Sequence, residues 1–149
     1  MRAKMFKWYL NNRRLIEYMK SIGFVHNKTH TLNLKEWFCG IDPKNKWHFV
    51  RGVWGGDGTM TIDKRNNCRI SFISASDVFA DMIYEFLVQQ NISSYKHTRV
   101  NPKHKSTYCI VGPSKKSSRL VFIDLLYKNA DIFMKRKHKK ALEIKMQGG

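Results

Sequence analysis

The sequence predicts an α+β domain in which helix, hairpin, helix, hairpin and helix follow one another across residues 46–130, and three observations carry that prediction. Residues 59–73 and 93–111 alternate polar with apolar side chains on both sides of turn-forming stretches, the period-two pattern of antiparallel hairpins. Residues 76–91 instead repeat Phe79, Met82, Ile83, Phe86 and Leu87 at the spacing of one helix face. Between them and the N-terminal third, Gly52, Gly55, Gly56 and Gly58 crowd around a single carboxylate, Asp57.

Each element has a local reason. Residues 4–10 read as a strand, Asn11 or Asn12 as a cap, and residues 13–22 as a helix turning Leu15, Ile16, Met19 and Ile22 inward, stopped by Gly23. Gly52 and Gly56 stand one helical turn apart, and a glycine inside a helix costs about 1 kcal/mol relative to alanine. Something pressing on that face explains them, as small residues let helix backbones approach closely. If the partner is a second copy, two Asp57 carboxylates come side by side, a pairing that needs a shared proton or bound cations.

In the first hairpin, residues 64–67 supply the turn. Met60, Ile62, Cys68, Ile70 and Phe72 fall on one side, and Thr59, Thr61, Asp63, Arg69 and Ser71 on the other. Ser76 caps the next helix, with Asp77 suiting its N-terminal dipole. Residues 93–100 and 106–111 form the second hairpin around the basic loop 101–105, with Tyr95, His97, Arg99, Lys105 and Thr107 expected on its polar face. Residues 114–128 read as a helix with Leu120, Val121, Ile123, Leu125, Leu126 and Tyr127 inside, and residues 133–146 as a basic one.

A chain of 149 residues with 42% hydrophobic side chains can bury a core of its own. Its 28 Lys and Arg against 11 Asp and Glu give a formal charge of +17, which draws polyanions, and nucleic acid is the natural partner. Cys39, Cys68 and Cys109 have no Cys-x-x-Cys spacing, so neither a disulfide framework nor a zinc knuckle is indicated, and a reducing compartment fits. His26 and His30 lack a further ligand nearby and read as surface loop. No apolar run approaches the ~20 residues of a membrane span, and no signal-peptide core opens the chain, so an intracellular setting is expected.

Residues 49–58, Phe-Val-Arg-Gly-Val-Trp-Gly-Gly-Asp-Gly, resemble the signature helix of the LAGLIDADG homing endonucleases in its form F-L-R-G-L-F-D-G-D-G, with Gly55 departing from the pattern. Leu125-Leu126-Tyr127 and Arg136-Lys137 resemble the LY…RK ending of the same subgroup. The resemblance implies a saddle-shaped αββαββα fold with an antiparallel sheet over residues 46–149. It also implies that the 1–45 extension is the strand-helix remnant of a truncated first repeat, with Lys28-Thr29 leading into the motif. An unrelated helical extension is the alternative.

The same resemblance implies a dimer through the 49–58 helix, packed at Gly52, Gly55 and Gly56. It makes Asp57 and the Gly56 carbonyl ligands of Mg²⁺ or Mn²⁺, and Lys115 or Lys116 a stabiliser of charge at the scissile phosphate. The polar strand faces would lie along double-stranded DNA, with Thr59, Thr61, Lys64, Arg65, Arg69, Ser71, Tyr95, His97, Arg99, Lys103, Lys105 and Thr107 as contacts. Arg51 matches the subgroup but points off the glycine face, and suits a structural or backbone-contacting role rather than catalysis. The expected function is metal-dependent, site-specific cleavage of both DNA strands in a bacterial or phage-infected cytoplasm or an organelle. A non-catalytic DNA-binding regulator, suggested by Gly55 and the single motif, and an RNA maturase are the alternatives.

Overall fold

Caps fix where the helices begin in the computed structural model, which describes residues 12–24 and 29–148. The Asn12 side chain accepts from Leu15 N at the start of α1 (Arg13–Ser21). Asp42 accepts from Lys44 N, and Pro43 supplies the first residue of α3 (Pro43–Gly56), so the glycine-bearing helix starts six residues before Phe49. Ser76 accepts from Phe79 N at the head of α4 (Asp77–Gln89). A short helix α2 (Lys35–Gly40), not anticipated from the sequence, precedes α3. The chain ends with α5 (Lys116–Tyr127) and α6 (Lys135–Met146).

Strands β1 (Gly58–Ile62), β2 (Cys68–Ser74), β3 (Ser94–Val100) and β4 (Thr107–Pro113) form one antiparallel sheet in the order β1-β2-β4-β3. The turn between β1 and β2 is closed by Asp63, whose carboxylate accepts from Arg65 N and Asn67 N, and Asn66 there adopts a positive φ. Strand parity sends Met60, Ile70, Phe72 and Val111 into a core shared with Phe79, Ile83, Phe86, Phe122, Ile123 and Leu126 of the helices. Leu34 and Phe38, from before residue 45, belong to the same core.

Two helix expectations are corrected. α1 buries no residue, and Leu15 and Ile16 are exposed, because the helix meets the rest of the described chain mainly at its end, where Trp37 Nε1 donates to the Tyr18 hydroxyl at 3.1 Å. In α5, Ile123 and Leu126 are buried and Leu120, Leu125 and Tyr127 half-buried as expected, but Val121 is exposed, and Ser118 and Phe122 complete the inward stripe instead. The expected strand over residues 4–10, along with Asn11, His26 and Lys28, lies outside the described residues.

Polar groups tie the layers together. Arg51, buried in α3, donates from Nη1 to Leu126 O at 2.8 Å and from Nε to Ile132 O at 3.1 Å, and also meets His48 Nδ1. The glycine-bearing helix is thereby anchored to the last turn of α5 and to the segment joining α5 and α6. Lys96 bridges Asp77 and Asp81, fastening β3 to α4. Burial alone would lower its pKa, but the two carboxylates raise it above the ordinary lysine value.

Gly112 sits where β4 crosses β2 so closely that an added Cβ would meet the Ile70 carbonyl oxygen at 2.2 Å. Neither backbone can yield without breaking the ladder. Gly112→Ala is therefore expected to cost about 2–3 kcal/mol of stability, read as a lowered denaturant midpoint with unchanged slope.

Candidate metal centre and nucleic-acid interface

The end of α3 is built by a close approach of helix and strand. A Cβ on Gly58 would stand 2.4 Å from the Trp54 ring and 2.7 Å from its Cα, so only glycine lets β1 leave the helix at this angle. Asp57 N donates to Val53 O at 2.9 Å, which keeps the last turn helical through Gly55 and leaves Asp57 as the C-cap. Its carboxylate is exposed and makes no hydrogen bond or ion pair among the described residues.

Next to it the Gly56 carbonyl accepts from Lys137 Nζ at 3.2 Å. That ammonium also donates to the carbonyl oxygens of Trp54, at 2.7 Å, and of Gly58. Burial, with Arg136 nearby, pulls Lys137 below the ordinary lysine range, and the negative charge of Asp57 opposes that shift.

The donor chemistry at this point is all oxygen, one carboxylate and one adjacent carbonyl, which suits Mg²⁺ or Mn²⁺, ions held by few carboxylates. No group of three or more His, Cys, Asp or Glu forms a metal cluster among the described residues.

The glycine face leading to Asp57 is open. Gly52 and Gly56 are exposed, and a Cβ on Gly52, Gly55 or Gly56 would meet nothing within 4 Å. Packing within the described chain does not account for these glycines. Beside them lies an apolar groove of about 390 Å³ whose walls include Phe24, Leu32, Phe49 and Val53.

On the sheet, the parity opposite the core forms a trough of about 700 Å³. Thr61, Arg69, Tyr95, His97 and Arg99 line it, with Tyr95 and His97 stacked at 5.1 Å. Burial raises the Tyr95 pKa, and the charges of Arg69 and Arg119 oppose that rise, which places both guanidiniums beside the ring. Thr59 is half-buried on the same face. Lys64 and Arg65 project from the β1–β2 turn and Lys103 and Lys105 from the β3–β4 loop, all exposed.

Two expected contacts are placed differently. Thr107 pairs with Val100 and shares the parity of Cys109 and Val111, so it faces the helix side while its neighbour Tyr108, opposite Arg99, takes the open face. Ser71 has the expected parity but is only 4% exposed, so its hydroxyl is largely withheld from the open face. Lys115 caps α5 without a side-chain cap bond and Lys116 follows it, both exposed. Neither side chain has a hydrogen bond or ion pair with Asp57.

Sequence reading missed Arg119, Tyr108 and Lys137. Arg119 reaches the trough only because α5 docks against the end of β4, where its guanidinium donates to Ser114 O at 3.2 Å, and no local pattern announces that. Lys137 did carry a signal: with Ala141 and Ile144 it completes the buried i, i+4, i+7 stripe of α6, a lysine in an apolar phase.

Residues 45–135 match the family model described as a LAGLIDADG-like domain. No curated protein and no solved structure gives a significant match.

Proposed function

Because the chain belongs to the LAGLIDADG family, we propose that it is a site-specific double-strand DNA endonuclease, a homing endonuclease, that works as a homodimer with divalent metal at its centre. One observation carries this reading. The glycine face of α3 is open to a partner and ends in an exposed, unpaired carboxylate, so pairing two such helices would place two Asp57 side chains together. Asp57 and the Gly56 carbonyl of each protomer would hold Mg²⁺ or Mn²⁺. When bound, such an ion supplies an activated water and stabilises charge on the scissile phosphate.

The protein's own groups do the rest. Arg69, Arg99, His97 and Thr61 of the open sheet face would enter the major groove, where arginine pairs bidentately with guanine. Lys64, Arg65, Lys103 and Lys105, at the two hairpin tips, would hold phosphates and set register. Lys115 and Lys116 would add positive charge near the strand ends, and the basic α6 extends the same field. Two-fold symmetry implies a near-palindromic site. The substrate places the protein inside a cell or organelle with its DNA.

Gly55 favours a second reading. It stands where the family motif carries an acidic residue, so each protomer brings a lone carboxylate, and a DNA-binding regulator that no longer cuts is the alternative. A maturase acting on intron RNA would use the same basic face.

Purified protein with Mg²⁺ is expected to linearise a plasmid carrying the uninterrupted sequence into which its gene or intron inserts. Site-specific binding without cutting, unchanged by metal, would establish the regulator, and preference for intron RNA over duplex the maturase. If Lys64, Arg65, Lys103 and Lys105 of both protomers each neutralise a phosphate, the log-log salt slope of duplex binding should be about −7. A slope shallower than about −3, measured by fluorescence anisotropy, would remove the sheet face as the main DNA contact.

A further inference from the structure

Lys137 is the only lysine buried to 7% exposure among the described residues, and it spends its charge away from its own helix. α6 begins Lys135, Arg136, Lys137 with no acidic residue in its first turn and no side-chain cap, an arrangement that opposes the positive end of the helix dipole. The compensation lies across the core. The Lys137 ammonium meets the carbonyls of Trp54 and Gly56, in the last turn of α3, and of Gly58, at the first residue of β1. All three are acceptors, and charge-assisted bonds of this kind are the strong ones. Together they bracket Asp57 on both sides, at the negative end of the α3 dipole, where a cation is favoured.

We propose that Lys137 is a positioning residue for Asp57: by clamping the carbonyls before and after it, the ammonium fixes the direction of the carboxylate and of the Gly56 carbonyl. The inference rests, for its functional meaning, on reading Asp57 and Gly56 as the metal-binding pair. A carbonyl oxygen has two lone pairs, so the one given to Lys137 leaves one for an ion. The clamp also explains why Gly56 and Gly58 can flank a reactive carboxylate without leaving the joint loose. Two glycines beside a helix end would otherwise be a hinge, and the ammonium replaces backbone stiffness with three bonds from one atom.

The test is local hydrogen exchange on the full chain without DNA or metal, followed by Mn²⁺ titration of the complex with duplex DNA. Lys137→Met keeps the length and removes the charge. It is expected to speed exchange over residues 54–60 by at least about tenfold while α4 exchanges as in the parent chain. Leu142→Gly, at an exposed position of α6 off the buried Lys137 stripe, is expected to change α6 and leave residues 54–60 alone. If Lys137→Met does not fold, Lys137→Arg, which keeps the charge in a different shape, should fold and speed exchange over residues 54–60 by about two- to fivefold.

Exchange over residues 54–60 that is unchanged, or that rises no more than elsewhere, overturns the clamp. In the DNA complex, Mn²⁺ affinity should fall by about tenfold in the folded variant, the cost typical of losing a group that orients a metal ligand, with DNA affinity within about twofold. An unchanged Mn²⁺ affinity overturns the positioning role. Absence of Mn²⁺ binding in the parent chain would instead strike at the metal reading of Asp57, leaving the exchange measurement to decide the clamp.

Discussion

Asp57→Asn is expected to bind duplex DNA as tightly as the parent chain, or slightly more tightly, and to lower the rate of DNA cleavage by at least about a thousandfold. The two halves of that expectation come from different parts of the molecule. Asp57 is exposed, caps α3 through its backbone, and has no side-chain bond to lose, so replacing one oxygen by an amide should change stability by no more than about 0.5 kcal/mol. The trough of Arg69, His97 and Arg99 lies on the sheet and is untouched. On the proposed reading, what is lost is the anionic oxygen for which a hard divalent ion has the strongest preference, and Asp57 belongs to no cluster of three or more acidic, His or Cys side chains among the described residues. Plasmid nicking and linearisation with Mg²⁺, scored beside electrophoretic binding to the same duplex, check both halves. Retained cutting would remove Asp57 from the chemistry, whatever the binding result.

The αββαββα order was legible because it is written locally. Alternation over β1 and β2, the stripe from Phe79 to Leu87, and the Ser76 cap each follow from neighbours within a few residues, and each recurs in the structure. Asp42-Pro43 was equally local, yet the glycines of residues 52–58 drew the start of α3 too far along the chain. The α1 stripe was misread for another reason. Its spacing is amphipathic, but whether an amphipathic face is covered depends on what the rest of the chain places over it, and here Leu15 and Ile16 remain exposed.

Of the candidate site, the open-face residues of β1, β2 and β3 could be placed by parity alone, whereas Asp57 was singled out by the glycine motif that ends α3. Thr107 could not. A shift of one residue in the reading of β4 carries it to the helix side and brings Tyr108 out instead. Arg119 and Lys137 act across tertiary distances, Lys137 over some eighty residues of sequence, and only the docking of α5 and α6 brings them to the site.

The glycine face of α3 permits a test in which stability and assembly move in opposite directions. Gly52 is the residue to change, because Gly56 also serves the Lys137 clamp and Gly58 is required by its contact with Trp54. A Cβ at position 52 meets nothing within 4 Å of the chain itself. Gly52→Ala should therefore stabilise the isolated protomer by about 0.5–1 kcal/mol through helix propensity alone, raising its melting temperature by about 2–4 °C. Gly52→Leu should fold as well, but its side chain would stand where a second α3 must approach to backbone contact. Self-association is expected to weaken by more than about a hundredfold, a loss of some 2.7 kcal/mol at the interface.

Sedimentation across a concentration series separates the two effects. The parent chain should show a melting temperature that rises with concentration, as linkage to a dimer requires, and Gly52→Leu a constant one. A Gly52→Leu protein that remains dimeric would place the protomer contact elsewhere. One that is monomeric, folded and unable to cut DNA would leave Asp57 exposed, competent to bind a single ion weakly, and without the second carboxylate on which the proposed double-strand chemistry depends.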